Sequence, residues 1–374
     1  MKVYLDNSAT TPVSPEVIEA MMPYFADNFG NPSSIHAHGR AARSTIEKSR
    51  RKIADLLNTS PAEIFFTSGG TEADNTILTS SIRSLGVNRI ITSKLEHHAV
   101  LHTVDYLLKS EEVVVEYVNH NDQGQLDLDH LAEIVQAGDL ISIMHANNEL
   151  GNLNDIQAIG DLCRDQGAFF HSDTVQTMGK VPHDLQSLSI DFLVGSAHKF
   201  HGPKGVGFMY IRAQNAIQPF IHGGAQERNM RGGTENVAGI VGLAKALELS
   251  YTEQDLNKEK ISNLKSNMIE KLKASVRGVS FNGLSGDMNS SIHTVLNVGI
   301  PESDDNDMLL FNLDIKGISV SGGSACASGS SIGSHVLTAI DSDPNRGAIR
   351  FSFSKYTTMD EIDYAVKALA ELVG

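Results

Sequence analysis

Between about residue 60 and residue 211, short β-rich runs alternate with stretches of helical apolar spacing, which restricts the chain to a mostly parallel sheet covered by helices on both faces. The runs lie at residues 64–67, 89–92, 113–118, 140–145, 168–172, 191–195 and 206–211. Too few residues separate the last two for a crossover helix, so they should pair antiparallel and give a mixed seven-stranded sheet. Residues 34–57 read as a long basic helix, and 236–275 as helical spacing of the kind that links two units. From residue 279 strands at 293–297, 318–320 and 349–353 precede a closing helix over 359–372. The expected fold class is α/β with a smaller α+β domain. A chain of 374 residues exceeds what one core usually serves. The division drawn is a large domain over 15–250 and a small one formed by 1–14 and 251–374.

Three segments that follow strands carry groups suited to one small ligand. In Thr67-Ser68-Gly69-Gly70-Thr71-Glu72, two glycines and a threonine stand where a strand passes into a helix, and the free N–H groups of a helix start favour a phosphate. The other reading of Thr71 is an ordinary helix cap. The run Phe170-His171-Ser172-Asp173-Thr174-Val175-Gln176 ends a strand in a carboxylate facing the crevice where open α/β sheets bind ligands. Asp173 could hold a pyridinium nitrogen protonated, or cap a helix. In Gly195-Ser196-Ala197-His198-Lys199, a lysine beside small residues could form a Schiff base, with Ser196 and His198 against a phosphate; a solvated surface amine is the alternative. The order of phosphate loop, acid and lysine along one sheet favours the ligand reading of all three.

Cys163 and Cys326 are the only cysteines, too few for a disulfide framework. Cys326 lies among glycine, serine and alanine in residues 321–331, a setting that suits a reactive thiol and reversible persulfide formation. Cys163, in the helical pattern 156–166, reads as a small buried hydrophobe. His97, His98 and His102 lack a carboxylate or thiolate at metal-ligand spacing, so no metal is expected, and His97 could instead lie flat on an aromatic ring. Arg350 suits a bidentate grip on a carboxylate, or a structural ion pair.

The 30 basic and 45 acidic residues leave a formal charge of -15, which opposes nonspecific contact with nucleic acid or an anionic membrane, so neither partner is expected. The first twelve residues show no signal-peptide pattern and no apolar run is long enough to span a bilayer, so the expected location is cytoplasmic.

Together these residues resemble the cysteine desulfurases of the NifS/IscS type, within the class V aminotransferase branch of the fold-type I pyridoxal-phosphate enzymes. The resemblance begins at Tyr4-Leu5-Asp6-Asn7-Ser8-Ala9-Thr10-Thr11-Pro12 and continues through Gly30-Asn31-Pro32-Ser33-Ser34, residues 144–151, the lysine segment and Arg350-Phe351-Ser352. It implies pyridoxal 5'-phosphate bonded to Lys199, with Asp173 on the ring nitrogen and His97 stacked on the ring. Asn148 and Gln176 would bond the phenolic oxygen. Gly70, Thr71, Ser196 and His198 would hold the phosphate, helped by Thr234 of a second subunit, which makes a homodimer the expected assembly.

The implied substrate is L-cysteine, its carboxylate gripped by Arg350 with Asn31 nearby. Its sulfur would pass to Cys326 as a persulfide, leaving alanine, and then to an acceptor such as an iron–sulfur scaffold protein. Ala225, Gly232 and Ser354 depart from the family's usual pattern without removing a catalytic group. A selenocysteine lyase or another class V transaminase would use the same Lys199 and Asp173. A non-catalytic sulfur-transfer scaffold would have no physical need for Lys199, Asp173, His97, Arg350 and Cys326 together.

Overall fold

The computed structural model describes residues 1–302, 306–322 and 333–374. In chain order the strands among them are β1 (Val3–Tyr4), β2 (Ile64–Thr67), β3 (Arg89–Thr92), β4 (Val114–Tyr117), β5 (Leu140–Ser142) and β6 (Phe169–Asp173). They continue as β7 (Phe192–Ser196), β8 (Gly207–Ile211), β9 (Ser280–Phe281), β10 (Val295–Ile300), β11 (Ile318–Ser319) and β12 (Gly347–Ser352). Seven of them form one sheet in the order β2-β8-β7-β6-β5-β3-β4. The pairs from β4 through β7 are parallel, whereas β8 runs antiparallel to both β7 and β2. The mixed seven-stranded sheet read from the sequence is therefore observed.

Alternate residues of the central strands feed two different cores, as the period of two requires. Phe192 and Val194 pack with Met209 under the helices Gly70–Leu85 and His98–Ser110. Leu193, Phe170 and Phe208 face the opposite way, under Ala37–Leu56, Ile156–Gln166 and Val237–Thr252. Cys163 belongs to this second face and is 1% exposed; burial pushes its thiol up to about 12.

A third core lies between the helices Gln254–Ser275 and Met359–Val373 and the antiparallel strands β9-β10-β12. Val3 and Leu5 join it from the other end of the chain, with β1 parallel to β11 and the Ser352 N–H donating to the Leu5 carbonyl at 2.7 Å. The helical stretch expected over 236–275 is two helices. They part at Glu253, whose backbone sits at φ -101°, ψ 8° and whose carboxylate holds Lys355 at 2.8 Å. The strand expected over 140–145 is assigned only to Ser142, although the Ile143 and His145 N–H groups still donate to the His171 and Asp173 carbonyls at 3.1 and 2.9 Å; past them Asn147 Oδ1 accepts from the N–H groups of Glu149 and Leu150 and turns the chain.

After β8 the chain makes a left-handed turn in which Glu227, Arg228 and Asn229 take φ of 45°, 56° and 68°. For residues other than glycine this is strained backbone, and a buried ion pair holds it. The Glu227 carboxylate accepts from Arg50 Nη1 at 2.7 Å, Arg50 Nη2 at 2.9 Å and the Phe66 N–H at 2.8 Å. Neither side chain is more than 1% exposed. Just beyond, a Cβ on Gly232 would lie 2.6 Å from the Gly223 Cα, which accounts for glycine at a position where the family commonly has serine.

Candidate active site

The ends of β6 and β7 and the start of the helix Gly70–Leu85 meet around one cavity of about 230 Å³. Gly70, Thr71, His97, Asn148, Asp173, Gln176, Ser196, His198, Lys199 and Arg350 all line it. Segments as far apart in the chain as Ser8 and Arg350 thus converge on a volume suited to one small molecule.

One end of the cavity suits an anion. The helix Gly70–Leu85 opens onto it, and a Cβ on Gly70 would strike Val175 Cγ2 at 2.7 Å, so only glycine leaves the helix start accessible here. Ser196 and His198 come from the neighbouring strand end and turn. Burial, then the charges of Lys199, Lys204 and Lys180, lowers His198 to about 4, so at neutral pH it offers a hydrogen bond rather than a charge.

The other end suits a cation against Asp173. That side chain accepts from the Val175 N–H at 2.8 Å and is buried, and burial raises its pKa against the pull of that bond and of Lys199. Asp74, one turn into the helix, is raised well above the carboxylate range, first by burial and then by Asp173 and Glu96. A buried carboxylate in this setting gains most from a cationic partner such as a protonated ring nitrogen. His97 stands between the two ends as the cap of the helix His98–Ser110, its Nδ1 accepting from the Ala99 N–H at 3.1 Å. Burial and the Lys199 charge bring it to about 4, so it is a neutral ring with its proton on Nε2.

The amino-terminal arm completes the site, which no local pattern in the sequence announces. Lys199 Nζ donates to the Ser8 carbonyl at 2.5 Å and to the Ala9 carbonyl at 2.9 Å. Gln176 Nε2 donates to the same Ser8 carbonyl at 3.0 Å, and the Thr11 N–H and hydroxyl both reach the His198 carbonyl at 2.9 Å. The lysine turn is thereby tied to residues nearly 190 positions earlier.

Arg350 is 1% exposed on β12. Its Nη2 donates to Asp6 Oδ1 at 2.9 Å and its Nη1 to the Asn148 carbonyl at 3.1 Å, while Nε has no partner among the described residues. The structural ion pair is thus present, and N–H donors remain beside it at the cavity.

Three expected positions stand apart. Asn31 is exposed, with Oδ1 accepting from the Ser33 N–H, and does not line the cavity. Thr234 is exposed beside Ser68 and Gly233, in a separate depression. Cys326 falls outside the described residues, in 323–332. Ser321, just before that segment, bonds Asp6 Oδ1 at 2.8 Å, and Ser334, just after it, bonds the buried carboxylate of Glu149. His98, His102 and His335 stack at centroid distances of 4.6 and 4.4 Å. Among the described residues no group of three or more histidine, cysteine, aspartate or glutamate side chains could hold a metal ion, and no helix is long and apolar enough to cross a membrane.

Comparison with known proteins agrees with this arrangement. The family model of class-V aminotransferases matches residues 3–365. The cysteine desulfurase IscS of Dictyoglomus turgidum is 42% identical over 382 residues, covering 100% of this chain and 94% of the relative. A solved NifS-like protein superposes with a TM-score of 0.91 at 38% identity, covering 100% of this chain and 99% of its own. SspA in complex with cysteine superposes with a TM-score of 0.79 at 34% identity over 96% of this chain and 100% of its own. The chain belongs to the class-V aminotransferase family, on its NifS/IscS cysteine-desulfurase branch.

Proposed function

We propose that this protein is a pyridoxal-phosphate-dependent cysteine desulfurase, which converts L-cysteine to L-alanine and passes the sulfur through Cys326. The observation that carries the reading is the single cavity lined by Lys199, Asp173, His97, Arg350 and the start of the helix Gly70–Leu85. The residues fit the cofactor end to end: a helix start cleared by Gly70 for the phosphate, a buried carboxylate for the ring nitrogen and a lysine for the carbonyl carbon. When bound, pyridoxal phosphate supplies an electron sink for the bonds at the substrate's α-carbon.

The chain's own groups supply the rest. Thr71, Ser196 and His198 orient the phosphate, and neutral His97 presents its face to the ring. Asn148 and Gln176 are the donors for the ring oxygen. Arg350 orients the substrate carboxylate with the N–H groups that Asp6 and Asn148 leave over. Lys199 accepts the α-proton at Nζ, and the Ser8 and Ala9 carbonyls then hold the resulting ammonium. The Cys326 thiolate attacks the substrate sulfur; the new S–S bond forms as the C–S bond breaks, and its electrons remain on the carbon that becomes alanine's methyl group.

The sulfur acceptor is a protein or small thiol, with an iron–sulfur scaffold as the first partner to test. We assign Asn31 to the substrate's surroundings and Thr234 to the phosphate site of a neighbouring subunit in a homodimer, a reading its exposure supports. The division into 15–250 and 1–14 with 251–374 is supported by the separate cores.

The test measures alanine and sulfide released from L-cysteine with a reducing thiol, while visible absorption is recorded. The native protein should be yellow and release both, and Cys326→Ala should keep the colour but lose sulfide. Unchanged release by Cys326→Ala removes Cys326 as acceptor and favours a transaminase or lyase. Release of selenide from selenocysteine by Cys326→Ala would favour the lyase.

A further inference from the structure

Lys199 and Ser8 line a second, smaller cavity of about 40 Å³, on the side of the lysine turn that faces the helix Gln254–Ser275 and the start of β10. Polar groups are set into its walls beside Phe200, Ile261 and Phe353. Asn7, Ser8 and Thr294 are 3%, 2% and 3% exposed, and their Oδ1, Oγ and Oγ1 atoms have no hydrogen-bond partner among the described residues; Gln254 Nε2 is in the same condition. Buried polar atoms are almost always satisfied, and four on the wall of one small chamber need a common partner.

The chemistry of the wall says what that partner is. Asn7 Nδ2 already donates to the carbonyls of Tyr4 and Ser352, so its oxygen, an acceptor, is the end left over. Gln254 offers a donor, and Ser8 and Thr294 offer either. A mixture of acceptors and donors suits water, which needs about 10–15 Å³ per molecule and two to four polar partners. Lys180 lies on the same wall, its Nζ 3.4 Å from Gln176 Oε1, and Gln176 Nε2 shares the Ser8 carbonyl with Lys199.

We propose that this chamber holds a small cluster of ordered waters bonded to Asn7, Ser8, Thr294 and Gln254, and that the cluster and Lys180 carry protons between Lys199 and solvent during turnover. The inference rests on the desulfurase reading of Lys199. In each cycle the substrate's Cα–H bond breaks and an N–H bond forms on Lys199. A proton then leaves Lys199 to a chamber water as another arrives, so charge and atom count balance without a redox partner. Burial, followed by the charge of Lys199, lowers Lys180 to about 7, so it loses and regains a proton near neutrality. The other titratable wall groups are spectators: burial brings His201 and His293 to about 4 and about 3, and Lys355 is paired with Glu253. The arrangement gives Lys199 a route to solvent when substrate fills the larger cavity.

The test uses the holoenzyme and L-cysteine deuterated at Cα, and reads the deuterium left at Cα of the alanine by mass spectrometry. In the parent the label should be largely washed out. Thr294→Val, and separately Lys180→Met, each compared only with parental folding and cofactor absorption retained, should raise the retained label several-fold. A simple structural role would slow turnover without moving this partition. A crystal structure should also show water within hydrogen-bond reach of Asn7 Oδ1 and Thr294 Oγ1. Unchanged label in both variants, or a dry chamber, overturns the proposal. Absence of alanine from the parent overturns instead the functional reading beneath it.

Discussion

Replacing Glu227 by alanine tests whether the left-handed turn is held by its buried ion pair. The substitution removes three hydrogen bonds and leaves the fully buried Arg50 guanidinium with the half-exposed Glu47 carboxylate at 3.3 Å, the Ile64 carbonyl and the Phe66 ring 4.6 Å away as its remaining contacts. Breaking one side of such a pair costs about 3–5 kcal/mol, and the long, half-exposed contact to Glu47 that remains puts this case toward the lower end. The double variant Arg50→Met with Glu227→Leu removes both charges and leaves the Phe66 N–H as the main orphan, so it should lose only about 1–3 kcal/mol. The assay is urea unfolding followed by circular dichroism, with Glu227→Gln as a milder probe if the alanine variant does not accumulate. A double variant as unstable as the single one, or an alanine variant within about 1 kcal/mol of the parent, refutes the argument that charge burial is what makes Glu227 indispensable.

Three further outcomes follow from other parts of the fold. His171 is fully buried and held neutral, its pKa pushed down to about 3, so its contribution to stability is complete above the unfolded value of 6.5 and is lost as pH falls toward the folded one. Between pH 7 and 5 the parent should lose roughly 2 kcal/mol more than His171→Gln, read from paired urea titrations, and equal losses would place the charging cost elsewhere. Thiol labelling of the folded protein should modify one cysteine quickly and leave Cys163 protected until unfolding, because that thiol is both buried and raised to about 12; rapid labelling in Cys326→Ala would contradict this. Gly70→Ala should weaken cofactor retention at least several-fold in an absorption titration and lower the unfolding midpoint modestly, since its Cβ would lie 2.7 Å from Val175 Cγ2 in the cavity wall.

The sheet was legible in the sequence because its strands are buried on both faces, so runs such as Phe192–Ser196 and Gly207–Ile211 stand out as unbroken apolar segments between turns. The cavity residues were legible for a related reason: Asp173, Ser196 and Lys199 sit just where such runs stop. What escaped was nonlocal. Nothing near Ser8 signals that its carbonyl will hold Lys199, and nothing near Asp6 signals that its carboxylate will take one arm of Arg350, because each contact spans most of the chain. The break at Glu253 also went unseen, since no glycine or proline marks it and the partner that stabilises it, Lys355, comes some hundred residues later.

The amino-terminal arm also sets an order of events during synthesis. Residues 3–9 leave the ribosome first, yet the strand and carbonyl partners that fix them, β11 and Ser352, are among the last to be made. The large sheet, complete by Ile211, can collapse before β11 and Ser352 fix the arm, because none of its strands comes from the arm. Until β11 and Ser352 are made, the carbonyls of Ser8 and Ala9 are held beside Lys199 only by the bonds they accept from Lys199 and Gln176 and by the bond from Thr11 to His198. A chain halted short of residue 352 should have its sheet but a lysine site held by fewer contacts.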